Sequence, residues 1–190
     1  MTDADPRLEA SQPIVLLVDP KKDYNVGAAV RAGAVFGAET VAWTGSRVVP
    51  GGPGGLPRGY RLPREERLRN YASVRKVPLG DDFGSAWRWL AGCVDRGYTP
   101  VAVEAREAAE PLDAFEHPES ALYIFGPEDG TLGRGWLEAC HRFVVIPTRI
   151  RSPLNLAAAV NVVLYDRFAK GRRPELGSLE YHELGRRPVA

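Results

Sequence analysis

Apolar residues enter this chain in short blocks whose spacing keeps changing, and the changes mark out the elements. Ile14-Val-Leu-Leu-Val18 is an unbroken apolar run stopped by Asp19-Pro20. It predicts a strand buried on both faces. Val26, Val30 and Ala34 then recur every fourth residue. That spacing predicts a helix to about Phe36, with Asn25 as its N-cap and Gly37 as its C-terminal cap glycine. Thr40–Trp43 reads as the next strand. Phe83, Trp87, Leu90 and Val94 share one face of an amphipathic helix ended by Gly97. Further strands are predicted over Pro100–Glu104, Ala121–Phe125 and 143–147. Helices are predicted over about 131–140 and 154–169, with a short charged one over 64–72. From Leu154 to Tyr165 the only strongly polar side chains are Asn155 and Asn161. A helix apolar on all sides must be covered on most of them, by a core or by a second subunit.

Strands alternating with helices predict an α/β fold, a mainly parallel sheet with helices on both faces. Residues 13–169 read as one domain, with a polar, flexible N-terminus over 1–12 and a polar tail over 170–190. Six Gly and four Pro over 45–63 exclude a regular element there. In such a sheet ligands bind beyond the carboxyl ends of the strands. The loops carrying Asn25, Glu104, residues 126–130 and residues 148–155 are therefore expected at one edge.

Composition narrows the class. No stretch reaches the roughly 18 apolar residues of a membrane span, and the first residues lack the pattern of a signal peptide. Cys93 and Cys140 stand far apart and outside any CxxC pair, as expected of reduced thiols in a cytoplasmic protein. The three histidines, 117, 141 and 182, have no metal-ligand spacing. A net charge of +1 does not by itself argue for a nucleic-acid partner. Its distribution is lopsided, however. Arg58, Arg61, Arg64, Arg67, Arg69, Arg75 and Lys76 crowd one segment against Glu65 and Glu66, whereas 104–129 holds eight acids against Arg106. A basic lobe of this kind collects phosphates.

Three segments carry candidate chemistry. Asn25-Val-Gly-Ala-Ala-Val-Arg31 opens the first helix. Gly126-Pro-Glu-Asp-Gly130 follows a strand, and its glycines let backbone approach a ligand closely. It is not a Walker A loop, and no GxGxxG follows a strand, which counts against a nucleotide-dependent enzyme. Pro147-Thr-Arg-Ile-Arg-Ser-Pro-Leu-Asn155 leads into the apolar helix. In this order and spacing, the three resemble the signature of the SpoU/TrmH branch of the SPOUT RNA methyltransferases, over roughly residues 14–168.

The resemblance implies a Rossmann-like half followed by a C-terminal trefoil knot, a homodimer, and S-adenosyl-L-methionine as methyl donor without a metal. It implies methyl transfer to a ribose 2′-OH of tRNA or rRNA. Catalytic positions carried over are Arg31, Asn25, Glu128, Asn155 and Ser152. Donor-binding positions are Val103, Glu104, Gly126, Gly130, Ile146, Thr148, Leu154 and Asn155. Relatives often read Ser-Leu-Asn, whereas this chain reads Ser152-Pro-Leu-Asn155. Either Ser152 is displaced by one residue or Pro153 replaces the serine. A guanidinium keeps its proton far above neutral pH. Arg31 is therefore read as stabilising an emerging alkoxide, with a literal base role left open. A non-catalytic RNA-binding copy and a base methyltransferase are the competing readings of the same motifs.

Arg58, Arg61 and Arg64 are the expected RNA contacts, since phosphate contacts position a substrate. Replacing all three by Ala is expected to weaken RNA binding and flatten its salt dependence while leaving donor affinity intact. Filter-binding titrations across a salt series check this, and an unchanged slope removes the assignment.

Overall fold

A computed structural model describes residues 12–61, 69–150 and 152–171. Its elements run β1 (Ile14–Leu17), α1 (Asp23–Phe36), β2 (Thr40–Trp43), α2 (Arg69–Ala72), β3 (Arg75–Pro78), α3 (Phe83–Asp95), β4 (Thr99–Val103), β5 (Glu110–Pro111), β6 (Ala121–Phe125), α4 (Arg134–Ala139), β7 (Arg142–Val145) and α5 (Leu156–Lys170). The seven strands form one sheet in the order β3-β2-β1-β6-β4-β7-β5. Every pairing is parallel.

Parallel strands need crossovers, and the crossovers cover both faces. β1, β2 and β6 are buried along their whole length. Alternate residues then feed two cores. Val15, Leu17, Tyr123 and Phe125 meet Val26 and Val30 of α1 and Leu156, Val160 and Val163 of α5. Ile14, Leu16, Leu122 and Ile124 meet Ala86, Leu90 and Cys93 of α3 and Trp136 of α4. Each fully buried Leu or Ile contributes about 2 kcal/mol of transfer free energy. Among the described residues no helix is long and apolar enough to cross a membrane.

The helix boundaries depart from the sequence reading where side chains did not carry the information. Helix α1 begins one turn before the residue expected to cap it. Its N-cap is Lys22, without a side-chain cap bond, so Asn25 is inside the helix and buried. Gly37 does cap the other end, at φ +76°. In α3 the buried face is Ala86, Leu90 and Cys93, while Phe83, Trp87 and Val94 remain exposed. The small residues fit against the close-packed sheet, and the aromatics form their own cluster with Trp136 at its edge. Strands β3 and β5 were not expected. Both are edge strands of the sheet, and β5 is only two residues long.

Helix α5 follows β7 in the chain and lies against α1. Phe36 of α1 contacts Tyr165 and Phe168 of α5, with ring centroids 6.1 and 6.0 Å apart. Only one side of α5 is covered, however: Val162, Tyr165 and Phe168 remain exposed. Asn161 is exposed too, and donates to the Ala157 carbonyl one turn back at 2.8 Å.

The far end of α5 is tied down through a buried imidazole. His117 Nδ1 lies 2.6 Å from the Tyr123 hydroxyl, and Nε2 lies 2.8 Å from Asp166 Oδ2. Lys170 pairs with the same Asp166 oxygen at 2.7 Å. Burial pushes the His117 pKa down, against the pull of Asp166. It also pushes the Tyr123 hydroxyl up to about 12. The unfolded chain takes up a proton at His117 near pH ~6.5, where the folded chain does not. Stability is therefore expected to be complete above that pH and to fall as pH drops through it toward the lower folded-state value. His117→Gln should flatten this part of the profile. Urea midpoints measured from about pH 5 to about pH 8, the span in which a histidine titrates, check it.

Candidate active site

The carboxyl ends of β4, β6 and β7 frame a cleft of about 860 Å³. Its apolar walls include Val103, Phe125, Ile146 and Leu156, and its charged lining is Glu104, Arg106, Glu107 and Glu128. A cleft of this size holds a nucleoside-sized ligand. Three carboxylates against one guanidinium favour a ligand with a positive centre. The loops fold close to one another here. A Cβ on Gly126 would stand 3.1 Å from the Leu132 backbone nitrogen. Glu104 holds that same Leu132 N–H through Oε2 at 3.0 Å. Thus the strand-end carboxylate of β4 fixes the loop that leaves β6.

A second set of contacts sits beside the cleft and crosses the whole chain. Asn155 is the N-cap of α5, and its Oδ1 accepts from the N–H groups of Ala157 and Ala158 at 3.0 and 3.3 Å. Capping fixes which end of the amide is oxygen, so Nδ2 must donate outward. It donates to Asn25 Oδ1 at 3.0 Å. That in turn forces Asn25 Nδ2 to donate, and it does so to Glu128 Oε1 at 2.5 Å. The other carboxylate oxygen, Oε2, accepts from the Lys21 N–H at 2.7 Å. The polarity of a helix cap is therefore passed through a buried amide to a carboxylate that faces the cleft. A buried Asn with both ends satisfied carries no desolvation penalty.

The structure unites most of the expected positions. Val103, Glu104, Gly126, Gly130, Ile146, Thr148, Leu154, Ser152 and Glu128 all line the cleft. Pro153 lines it beside Ser152. Asn25 and Asn155 stand behind the lining, as the two amides that orient Glu128. Arg31 is the exception. It lies six residues beyond Asn25, roughly 9 Å along the helix axis, on an exposed face, and it does not line the cleft of its own chain. Tyr24, Arg31 and Val35 share this face of α1, and Tyr24 and Val35 are 56% and 64% exposed.

Arg58 and Arg61 are exposed on the loop that packs against the start of α1. The contact is close: a Cβ on Gly27 would fall 2.2 Å from the Tyr60 ring, and one on Gly59 would collide with the Asp23 carboxylate. Arg64 lies outside the described residues. Pro147, at the head of the third motif segment, lines the cleft, and so do Arg106 and Glu107, which were not expected as site residues. Their only signal was adjacency to strand ends. Among the described residues no group of His, Cys, Asp or Glu is placed to hold a metal ion.

Comparison with known proteins gives a consistent set. The family model described as "SpoU rRNA Methylase family" matches residues 69–165. The tRNA (cytidine-2'-O-)-methyltransferase TrmJ of Methanocaldococcus jannaschii is 27% identical over 174 residues, covering 90% of this chain and 74% of that protein. The TrmH/SpoU tRNA modifying enzyme of A. aeolicus superposes with a TM-score of 0.66 at 18% identity, covering 94% of this chain and 88% of the other. The SpoU methyltransferase AviRb of Streptomyces viridochromogenes, solved in complex with AdoMet, superposes at 0.62 with 19% identity. The match covers 85% of this chain but only 58% of AviRb. These structural likenesses establish the fold.

Asn155→Ala removes a cap and is expected to cost about 1 kcal/mol. Asn155→Asp keeps the capping oxygen but turns the donor facing Asn25 Oδ1 into an acceptor, so it should recover only part of that loss. Thermal and urea unfolding of the two variants check this. Full recovery by the Asp variant would show that the Asn155–Asn25 bond adds nothing.

Proposed function

This chain belongs to the SpoU rRNA methylase family, and we propose on that premise that it transfers a methyl group from S-adenosyl-L-methionine to a ribose 2′-hydroxyl of tRNA or rRNA. The observation that carries the reading is the oriented Glu128 carboxylate at the rim of a nucleoside-sized cleft. The lining suits the donor: apolar walls for an adenosine, Glu104, Glu107 and Glu128 for a positive sulfonium, and Arg106 for a carboxylate. When bound, the donor supplies a methyl group already activated on sulfur. The protein's own work is then to hold the acceptor in line and to stabilise the charge that develops on its oxygen.

In this reading Glu128, fixed by Asn25 and the Lys21 N–H, orients the acceptor nucleotide. Gly126, Gly130, Ile146, Thr148 and Leu154 hold the donor largely through backbone, with Ser152 at the mouth. Arg58 and Arg61, beside the start of α1, take RNA phosphates. A C-terminal trefoil knot belongs to the same reading, supported by α5, which follows β7, packing against α1. So does a cytoplasmic setting, with which the buried free thiols Cys93 and Cys140 are consistent.

A homodimer completes the proposal. Tyr24 and Val35 on α1, with Val162, Tyr165 and Phe168 on α5, form an exposed apolar surface across two packed helices. Arg31 shares the α1 face with Tyr24 and Val35 and lies outside its own cleft. We therefore assign Arg31 to the cleft of the second copy, where its guanidinium stabilises the ribose alkoxide.

Calorimetry should detect S-adenosyl-L-methionine binding, and tritium from the labelled donor should enter ribose 2′-positions of a tRNA and rRNA pool. Arg31→Ala is expected to lower the transfer rate by about 10² to 10³ with donor affinity retained. Mixing Arg31→Ala with Glu128→Gln protomers should restore about a quarter of wild-type activity, because half the dimers carry one intact composite site. No restoration would place Arg31 in its own protomer's site. No donor binding would remove the proposed function.

A further inference from the structure

We propose that Arg47 is a positioning residue for Glu128, acting through Asp129; the proposal rests on the methyl-transfer reading above. Arg47 appears in none of the three motif segments. It sits in the loop after β2, yet its guanidinium joins that loop to two others. One nitrogen, Nη1, donates to both oxygens of Asp129 at 3.1 and 2.9 Å. The other, Nη2, donates to the Asp19 carbonyl and lies 3.1 Å from the Asp19 carboxylate. Lys21 Nζ adds a second contact to Asp129 at 3.3 Å.

The geometry around this bridge is built to hold it. Asp19 adopts a positive φ of 45°, a conformation that side-chain-bearing residues seldom take. That turn directs its carbonyl to Arg47, and the Thr44 hydroxyl holds its N–H at 2.9 Å. Gly45 leaves the space needed: a Cβ there would fall 2.1 Å from Asp19 Oδ1. The Asp129 pKa in turn is lowered, first through its hydrogen bonds from Arg47.

The consequence concerns the neighbouring residue. Glu128 must keep its two oxygens on Asn25, in the first turn of α1, and on the Lys21 N–H, in the connection leaving β1. Glu128 itself belongs to the loop leaving β6, which has glycine at both ends, Gly126 and Gly130. Glu104 holds the far end of that loop through the Leu132 N–H, and the span between the glycines is left to be fixed from the β1 side. Arg47 supplies that link one residue from Glu128, and its planar fork sets direction as well as distance. An exposed ion pair adds little to global stability, so removing it should misplace Glu128 without unfolding the protein.

The test measures single-turnover methyl transfer from tritiated S-adenosyl-L-methionine to a tRNA and rRNA pool from cells lacking the protein. It is run in the wild-type and Glu128→Gln backgrounds. Since a misplacement of about 1 Å can cost up to 10²-fold, Arg47→Ala should lower the wild-type rate by about tenfold or more. It should leave donor affinity by calorimetry within about threefold and the melting temperature within about 4 °C. In the Glu128→Gln background the same substitution should change the remaining rate by less than about twofold, because coupled residues are not additive. Arg47→Lys, which keeps charge but not the fork, should recover only part of the rate. Asp129→Asn should reproduce the loss with the arginine intact. An unchanged rate in Arg47→Ala, or an equal fractional loss in both backgrounds, overturns the proposal. A wild-type protein that binds no donor and transfers no methyl group overturns the underlying reading instead.

Discussion

The cap of α5 is the constraint on which the rest of the site depends. Asn155 has one amide oxygen, and the helix claims it for the Ala157 and Ala158 N–H groups. Every polarity downstream follows from that choice. Asn25 must accept on one side and donate on the other, and Glu128 must receive the final hydrogen bond as a carboxylate. Because Asn25 is buried, an error anywhere in this chain would leave a polar atom unpaired in a low-dielectric interior, which costs far more than a surface contact. The relay therefore both orients the Glu128 carboxylate at the cleft and couples its orientation to the docking of α5 on α1.

That docking explains the division of labour between the two sheet faces. The face carrying α3 and α4 is closed by Ala86, Leu90, Cys93 and Trp136, with Trp89 packed against them. The face carrying α1 and α5 builds the site and then remains uncovered outward, with apolar residues of both helices in contact with solvent. A helix pair whose inner side binds a relay and whose outer side is apolar is suited to serve two purposes at once. It holds the carboxylate inward and leaves outward the apolar surface that the proposed homodimer would cover. Arg31 shares the exposed side of α1 with Tyr24 and Val35 and does not line the cleft.

Parallel topology supplies the other half of the arrangement. The strands of the sheet end on the same edge, so residues far apart in sequence, such as Lys21, Glu104, Glu128 and Ile146, become neighbours. The motif glycines work for packing as well as for ligand approach. Gly27 yields its Cβ space to the Tyr60 ring, and Gly126 lets the loop double back on Leu132. A loop bearing arginines is thereby seated next to the helix that carries the relay, which connects an irregular basic segment to the site by contact.

The sequence by itself determined the alternation of strand and helix, the parallel sheet, and which loops meet at the cleft, because burial on both faces of a strand and the position of a strand end are written in local patterns of apolar residues and turns; the individual cleft positions came from the resemblance to the SpoU/TrmH signature. It misread the first helix start, where backbone geometry at Lys22 rather than a side chain makes the cap. It also misread the buried face of α3, where the fit of Ala86 and Cys93 against the sheet outweighs the size of Phe83 and Trp87. Only the tertiary structure decided that Asn155 and Asn25 form one oriented chain to Glu128, that Arg47 meets an aspartate 82 residues away, and that Arg31 faces outward. Those facts depend on hydrogen-bond direction and on which helix faces which neighbour, and neither is encoded in any short stretch of residues.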